Sequence, residues 1–114
     1  MRQAVSRDVQ DIVFLGEQDG PAEQQLKERL AALFEQHAGV TKAYLARAVI
    51  DGETSVILGL GAAGVDENDL ARKVGGVFAT IFNPRAHLDV VFLSEDQHAA
   101  VSRVCRAFYE RDSS

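Results

Sequence analysis

Three groups of residues in this chain have types and spacings that could do chemistry. The first is Gly59-Leu60-Gly61-Ala62-Ala63-Gly64, a literal G-x-G-x-x-G behind an apolar run and ahead of a helical stripe. In a dinucleotide-binding unit such glycines let the backbone approach a pyrophosphate held at a helix N-terminus. Here the next helix opens with Asp66, Glu67 and Asp69, whose charge repels that ligand. The preceding run is half of a hairpin rather than the start of a βαβ unit. The stretch therefore reads as a small-residue connector into a capped helix. The second group is Arg85, His87 and Asp89, which alternate and so share one face at the start of a strand. An Arg-His-Asp face could do acid–base work, yet the same charges protect a strand edge, and no nucleophile accompanies them. The third is the loop Gly16-Glu17-Gln18-Asp19-Gly20-Pro21. Backbone N–H groups at a helix start could cradle a small carboxylate. That makes Gly16, Gln18 and Gly20 the ligand-binding candidates, with Glu17 and Asp19 competing for the same donors.

Other reactive types lack company. His37, His87 and His98 fall on separate elements and form no H-x-H or H-E-x-x-H pair. The single cysteine, Cys105, lies on an apolar helical stripe with no adjacent base, the setting of a buried structural thiol. No G-x-S-x-G or similar nucleophile signature is present. No catalytic residue, metal or cofactor is expected. Arg103, Arg106 and Arg111 make a small basic cluster on an acidic chain. It reads as a solvated face with Glu110 as partner, or as a contact for an anion or another protein.

The elements that must position these residues follow from periodicity. Val9 to Leu15 is dense in β-branched and aromatic residues and reads as a buried strand stopped by Gly16. Pro21 opens a helix whose stripe is Leu26, Leu30, Leu33 and Phe34, ending by Gly39. Val40 to Ile50 and Thr54 to Leu60 are strands joined by Asp51-Gly52, a strong hairpin signal. Asp66 caps a second helix striped by Leu70, Val74, Val77, Phe78, Ile81 and Phe82, ended by Asn83-Pro84. Gly75-Gly76 inside it implies close packing to offset the propensity cost. Leu88 to Leu93 is the last strand. Ser94 with Gln97 has the form of a capping box, and Val101, Val104, Cys105 and Phe108 stripe a third helix that ends near Tyr109 to Arg111. The expected fold class is α+β. Its order is the ferredoxin-like β-α-β-β-α-β, giving a four-stranded antiparallel sheet with the first and third strands central and an extra C-terminal helix.

The chain has 114 residues, room for one domain, here residues 9–111 between a disordered segment 1–8 and a loose tail 112–114. Its 46% hydrophobic and 25% charged residues are a globular balance, and a net charge of −5 disfavours nucleic acid. The third strand also lacks the exposed aromatics of RNA-reading domains of this order. No run approaches the roughly 20 apolar residues of a membrane span, and the first residues lack the apolar core of a secretory signal. The cytoplasm is the expected location.

The sheet looks apolar on both faces. Tyr44, Ala46, Ala48 and Ile50 alternate with Ala43, Leu45 and Val49, and Val56, Leu58 and Leu60 alternate with Ile57. One layer of helices covers one face, so the other is expected to form a homodimer assisted by the C-terminal helix. The interface candidates are Tyr44, Leu45, Ile57, Phe108, Tyr109 and Arg111.

Three stretches carry a family resemblance: Val13-Phe14-Leu15-Gly16-Glu17 with Pro21 after it, Ala43-Tyr44-Leu45-Ala46-Arg47, and Phe108-Tyr109-Glu110-Arg111. Together they resemble the C-terminal domain of the enhanced serine sensitivity (SseB) proteins of bacteria, over about Ile12 to Arg111. The family's usual P-F-Y ending stands here as Ala107-Phe108-Tyr109, without the proline. The resemblance implies a cytoplasmic bacterial protein linked to serine sensitivity and no particular reaction. The leading expectation is thus a non-enzymatic interaction or regulatory domain that self-associates, with an unidentified protein partner also open. The alternative is a small-ligand sensor resembling amino-acid-binding ACT domains. An enzyme working through His87 and Asp89 would need a concave pocket around them.

Overall fold

The computed structural model describes residues 4–7, 12–82 and 88–111, the first four by backbone alone. In chain order the elements are β1 (Ala4–Arg7), β2 (Ile12–Glu17), α1 (Pro21–Glu35), β3 (Val40–Ile50), β4 (Glu53–Ala62), α2 (Glu67–Ile81), β5 (Leu88–Phe92), α3 (Glu95–Ser102) and β6 (Tyr109–Glu110). Residues 4–7, expected within a loose segment, form a strand. Residues 1–3 and 8, the tail 112–114, Asn83-Pro84, Arg85 and His87 lie outside the described residues.

The local signals act as their chemistry requires. Asp51 (φ 53°) and Gly52 (φ 82°) form the left-handed pair that a tight hairpin demands. The Asp66 side chain caps α2 by accepting from the Asp69 N–H. Ser94 and Gln97 form a complete capping box at the start of α3. Leu26, Leu30 and Phe34 of α1 and Leu70, Val74 and Phe78 of α2 are all buried. Gly39 is needed for close approach: a Cβ there would lie 2.3 Å from the Ala63 carbonyl oxygen.

The class is α+β, but the sheet is mixed and its order is β1-β5-β4-β3-β2, with β6 also on β3. The expected arrangement put the strand now called β2 between β4 and β5. Instead β4 and β5 pair directly and in parallel, Ile57 with Asp89 through Leu60 with Phe92. That ladder fills the slot, and β2 moves to the sheet edge, antiparallel to β3 with a bulge between Phe14 and Gly16. A strand read as buried is thus an edge strand, with only Phe14 enclosed while Val13 and Leu15 are 61% and 45% exposed.

Two cores flank the sheet. On one face α1 and α2 pack on Ala43, Leu45, Leu58, Leu60, Leu88 and Val90. On the other, Phe14, Tyr44, Ala46, Ala48, Ile50, Ile57 and Val91 cluster with Val101 and Cys105. The second face, expected to need another copy of the chain, is buried within one protomer. The third helix is also shorter than expected. After Ser102 the chain turns, leaves the helical path and crosses the edge of β3. Cys105 and Ala107 join the α3-side core, whereas Phe108 and Tyr109 join the α1–α2 core. Backbone bonds from Phe108 N–H to Ala43 O (2.9 Å) and Arg111 N–H to Thr41 O (2.8 Å) fix this crossing. The apolar spacing at 101, 104, 105 and 108 mimics a helix because it serves two faces in succession, and Val104 is left 42% exposed.

Gly76 does not answer the expectation of close packing: it is exposed, and a Cβ built on it meets nothing within 4 Å. Gly76→Ala should therefore stabilise the domain by about 1 kcal/mol through helix propensity, read as a higher midpoint in thermal unfolding. A lower midpoint would mean that open space misdescribes the site.

Candidate functional site

The loop that joins β2 to α1 is held by its own side chains. Gln18 N–H bonds Leu45 O at 3.0 Å, and Gln18 Nε2 donates to Glu23 Oε2 at 3.3 Å. Lys27 Nζ reaches Glu17 at 3.1 Å and Asp19 at 3.2 Å. Glu17 also accepts from the Arg106 N–H at 3.3 Å, joining the loop to the segment after α3. A Cβ on Gly20 would lie 2.6 Å from Glu23 Oε1, so a carboxylate of the chain already occupies the space beside this N-cap glycine. The structure therefore brings Gln18 and Gly20 together around Glu23; Gly16 stands in the β2 bulge, with open space where a side chain would be.

The glycine-rich stretch is structural in placement. Gly59 and Gly61 lie inside β4, Gly59 under the Leu93 side chain and Gly61 beside Thr41; Gly64, at φ 71°, turns the chain toward α2.

Between the sheet and α3 lies a polar pair that sequence spacing did not reveal. Tyr44 Oη and His98 Nε2 share a 2.8 Å hydrogen bond, with the rings edge-to-face. Burial, then the charges of Glu110 and Cys105, raise the Tyr44 pKa. The sequence did carry a signal for His98: it precedes Val101 by three and Cys105 by seven, on their helical face. Cys105 is buried, donates from Sγ to Leu45 O at 3.4 Å, and has its pKa pushed up to about 11 by burial and then by Glu17. The unfolded thiol loses its proton near 9, so Cys105 favours the folded state below that pH. Its contribution should fade as pH rises from 9 toward 11. Denaturation midpoints for the wild type and Cys105→Ala should converge over that interval, and parallel profiles would refute the assignment.

Asp89, 2% exposed, accepts from Ser55 Oγ at 3.0 Å. Both line a cleft of about 340 Å³ with Arg47, Ile50, Glu53, Thr54 and Val56. His87, the other half of the acid–base idea, lies outside the described residues. A smaller, mostly apolar cavity of about 140 Å³ opens between α1 and α2, with Glu23, Leu26, Leu45, Val56, Phe78, Phe82 and Leu88 around it. Among the described residues no group of three His, Cys, Asp or Glu is placed to hold a metal ion, and no helix is long and apolar enough to cross a membrane.

The six interface candidates separate. Tyr44, Leu45 and Ile57 are buried inside the protomer, on both sides of the sheet. Phe108 and Tyr109 pack their rings on Phe34, at centroid distances of 6.4 and 5.7 Å. Arg111 reaches back to the end of α1: Nη2 donates to Phe34 O (2.9 Å), Glu35 O (3.1 Å) and His37 O (3.5 Å), and Nε to Val40 O (3.3 Å). A guanidinium at a helix C-terminus satisfies orphan carbonyls and meets the negative end of the dipole. The Phe-Tyr-Glu-Arg ending is thus a strap across α1 and β3.

No curated protein and no solved structure matches the chain at a significant level. A family model does, that of the SseB protein C-terminal domain, over residues 10–111. That span takes in the β2 edge, the Ala43–Arg47 core of β3 and the Phe108–Arg111 strap, and the chain therefore belongs to the SseB C-terminal domain family.

Proposed function

We propose that this chain is a non-enzymatic interaction or regulatory domain of the bacterial cytoplasm that works by self-association, with a link to serine or amino-acid metabolism drawn from the family resemblance. The observation that carries the reading is where apolar surface is left over. Both sheet faces are closed within the protomer, yet Val13 and Leu15, on either side of buried Phe14, stand exposed on a strand that among the described residues is at the sheet edge. Exposed apolar side chains grouped on one element mark contact surfaces. The groups that could do chemistry have structural partners: His98 holds Tyr44, Asp89 holds Ser55, and Arg111 holds the end of α1. Size-exclusion chromatography with light scattering, at micromolar concentration, tests the reading. A mass near twice 12.4 kDa is expected, and a monomer at every concentration overturns it.

A second reading, a small-ligand sensor, is favoured by the apolar cavity between α1 and α2 with Glu23 at its lining and Gln18 bonded to that carboxylate. Thermal-shift screening against serine and other amino acids separates the two. A ligand specific for the folded state at 100 times its Kd adds about 2.7 kcal/mol, and no shift with any amino acid removes this reading.

A further inference from the structure

We infer that the open edge of β2 is the self-association surface: two copies pair their β2 strands antiparallel about a two-fold axis near Phe14 and Leu15, joining their sheets. The inference rests on the self-association proposed above and assigns it a place.

A strand at a sheet edge offers unpaired backbone N–H and C=O groups that template another strand. Among the described residues β2 is such a strand, bonded to β3 on one side only. From Ile12 to Gly16 it carries no charge, lysine or proline to discourage pairing. Two of the three large apolar side chains exposed among the described residues, Val13 and Leu15, belong to it. The third, Val104, lies two residues before Arg106, whose N–H bonds Glu17 at the end of the same strand.

Charge selects a second copy as the occupant, and selects its direction. The Ile12 end of β2 lies beside Ile50 and hence beside the hairpin turn that carries Asp51 and Glu53. The Glu17 end lies beside Arg106, with Arg103 three residues earlier. Among the described residues neither arginine side chain has an ion pair. Antiparallel pairing sets Glu17 of one copy opposite the partner's Ile12, and brings Arg106 toward the acidic turn of the partner. Parallel in-register pairing would instead stack glutamate on glutamate and turn on turn, which is repulsive. A two-fold contact of this kind closes on itself. The bulge at Leu15 bends the strand, which limits the ladder to a short segment.

The test compares the wild-type chain with Leu15→Asp, Val13→Asp and Arg106→Glu by light scattering and sedimentation at several concentrations, with thermal unfolding as a control for folding. The aspartate variants alter exposed positions, and Arg106→Glu leaves β2 itself untouched. Each is expected to raise the dimer dissociation constant about tenfold or more without lowering the unfolding midpoint at matched monomer population. A wild-type dimer indifferent to all three changes overturns the β2 assignment and leaves self-association standing. A wild-type monomer throughout overturns both.

Discussion

Phe34→Ala is expected to destabilise the fold by about 3–5 kcal/mol, the range for removing a fully buried phenylalanine. Phe34 is 0% exposed and sits in the last turn of α1, where it faces the sheet and also receives both aromatic rings of the C-terminal strap. Its loss opens a cavity and removes two aromatic contacts at once. With total stabilities of domains near 5–15 kcal/mol, much of the reserve would go. Urea unfolding followed by far-UV circular dichroism reads the change. Phe34→Leu should recover more than half of it, because most of the apolar volume returns. A cost under about 1 kcal/mol for the alanine variant would show that the strap and α1 are not packed as described.

Arg111→Met should cost about 2–3 kcal/mol, in line with the loss of several charge-assisted hydrogen bonds from one guanidinium. Arg111→Lys distinguishes the geometry from the charge. Nη2 and Nε span carbonyls of Phe34, Glu35, His37 and Val40 from one planar group. A lysine keeps the cation near the α1 dipole but not the fork, so it should restore less than half of the loss. Full rescue by lysine would reduce the role of Arg111 to simple helix-end electrostatics. In a double-mutant cycle the Phe34 and Arg111 changes should be less than additive in cost, since either one releases the same strap. Strict additivity would separate the strap into independent contacts.

These two residues also show where reading residues in order succeeds. Phe34 is the fourth member of a period-3.6 stripe, and its burial follows from that stripe. The capping box of Ser94 and Gln97, the Asp66 cap and the Asp51-Gly52 turn were likewise legible, because each depends on atoms within four residues of one another. Arg111 was visible as a signature residue but not as a helix clamp: its acceptors lie 71 to 77 residues away. For the candidate site the outcome is similar. That Gln18 and Gly20 lie around Glu23 was not legible in the loop, and the pairing of Tyr44 with His98 spans 54 residues and emerged only from the packing of α3 on the sheet.

Residue order and local chemistry were enough to specify most of the elements, many of their ends, and the family, but not the strands β1 and β6. Which strand lies beside which was settled by long-range packing: β4 pairs β5 in parallel, β2 goes to the edge, and the chain after Ser102 abandons its helix to cross β3. The reason is physical. Caps and turns draw their free energy from neighbours along the chain, and an amphipathic stripe, though stabilised by tertiary burial, repeats within one segment, so each is legible locally. Strand order and the cover over the second sheet face arise from competition among distant apolar surfaces, and no short stretch records who wins.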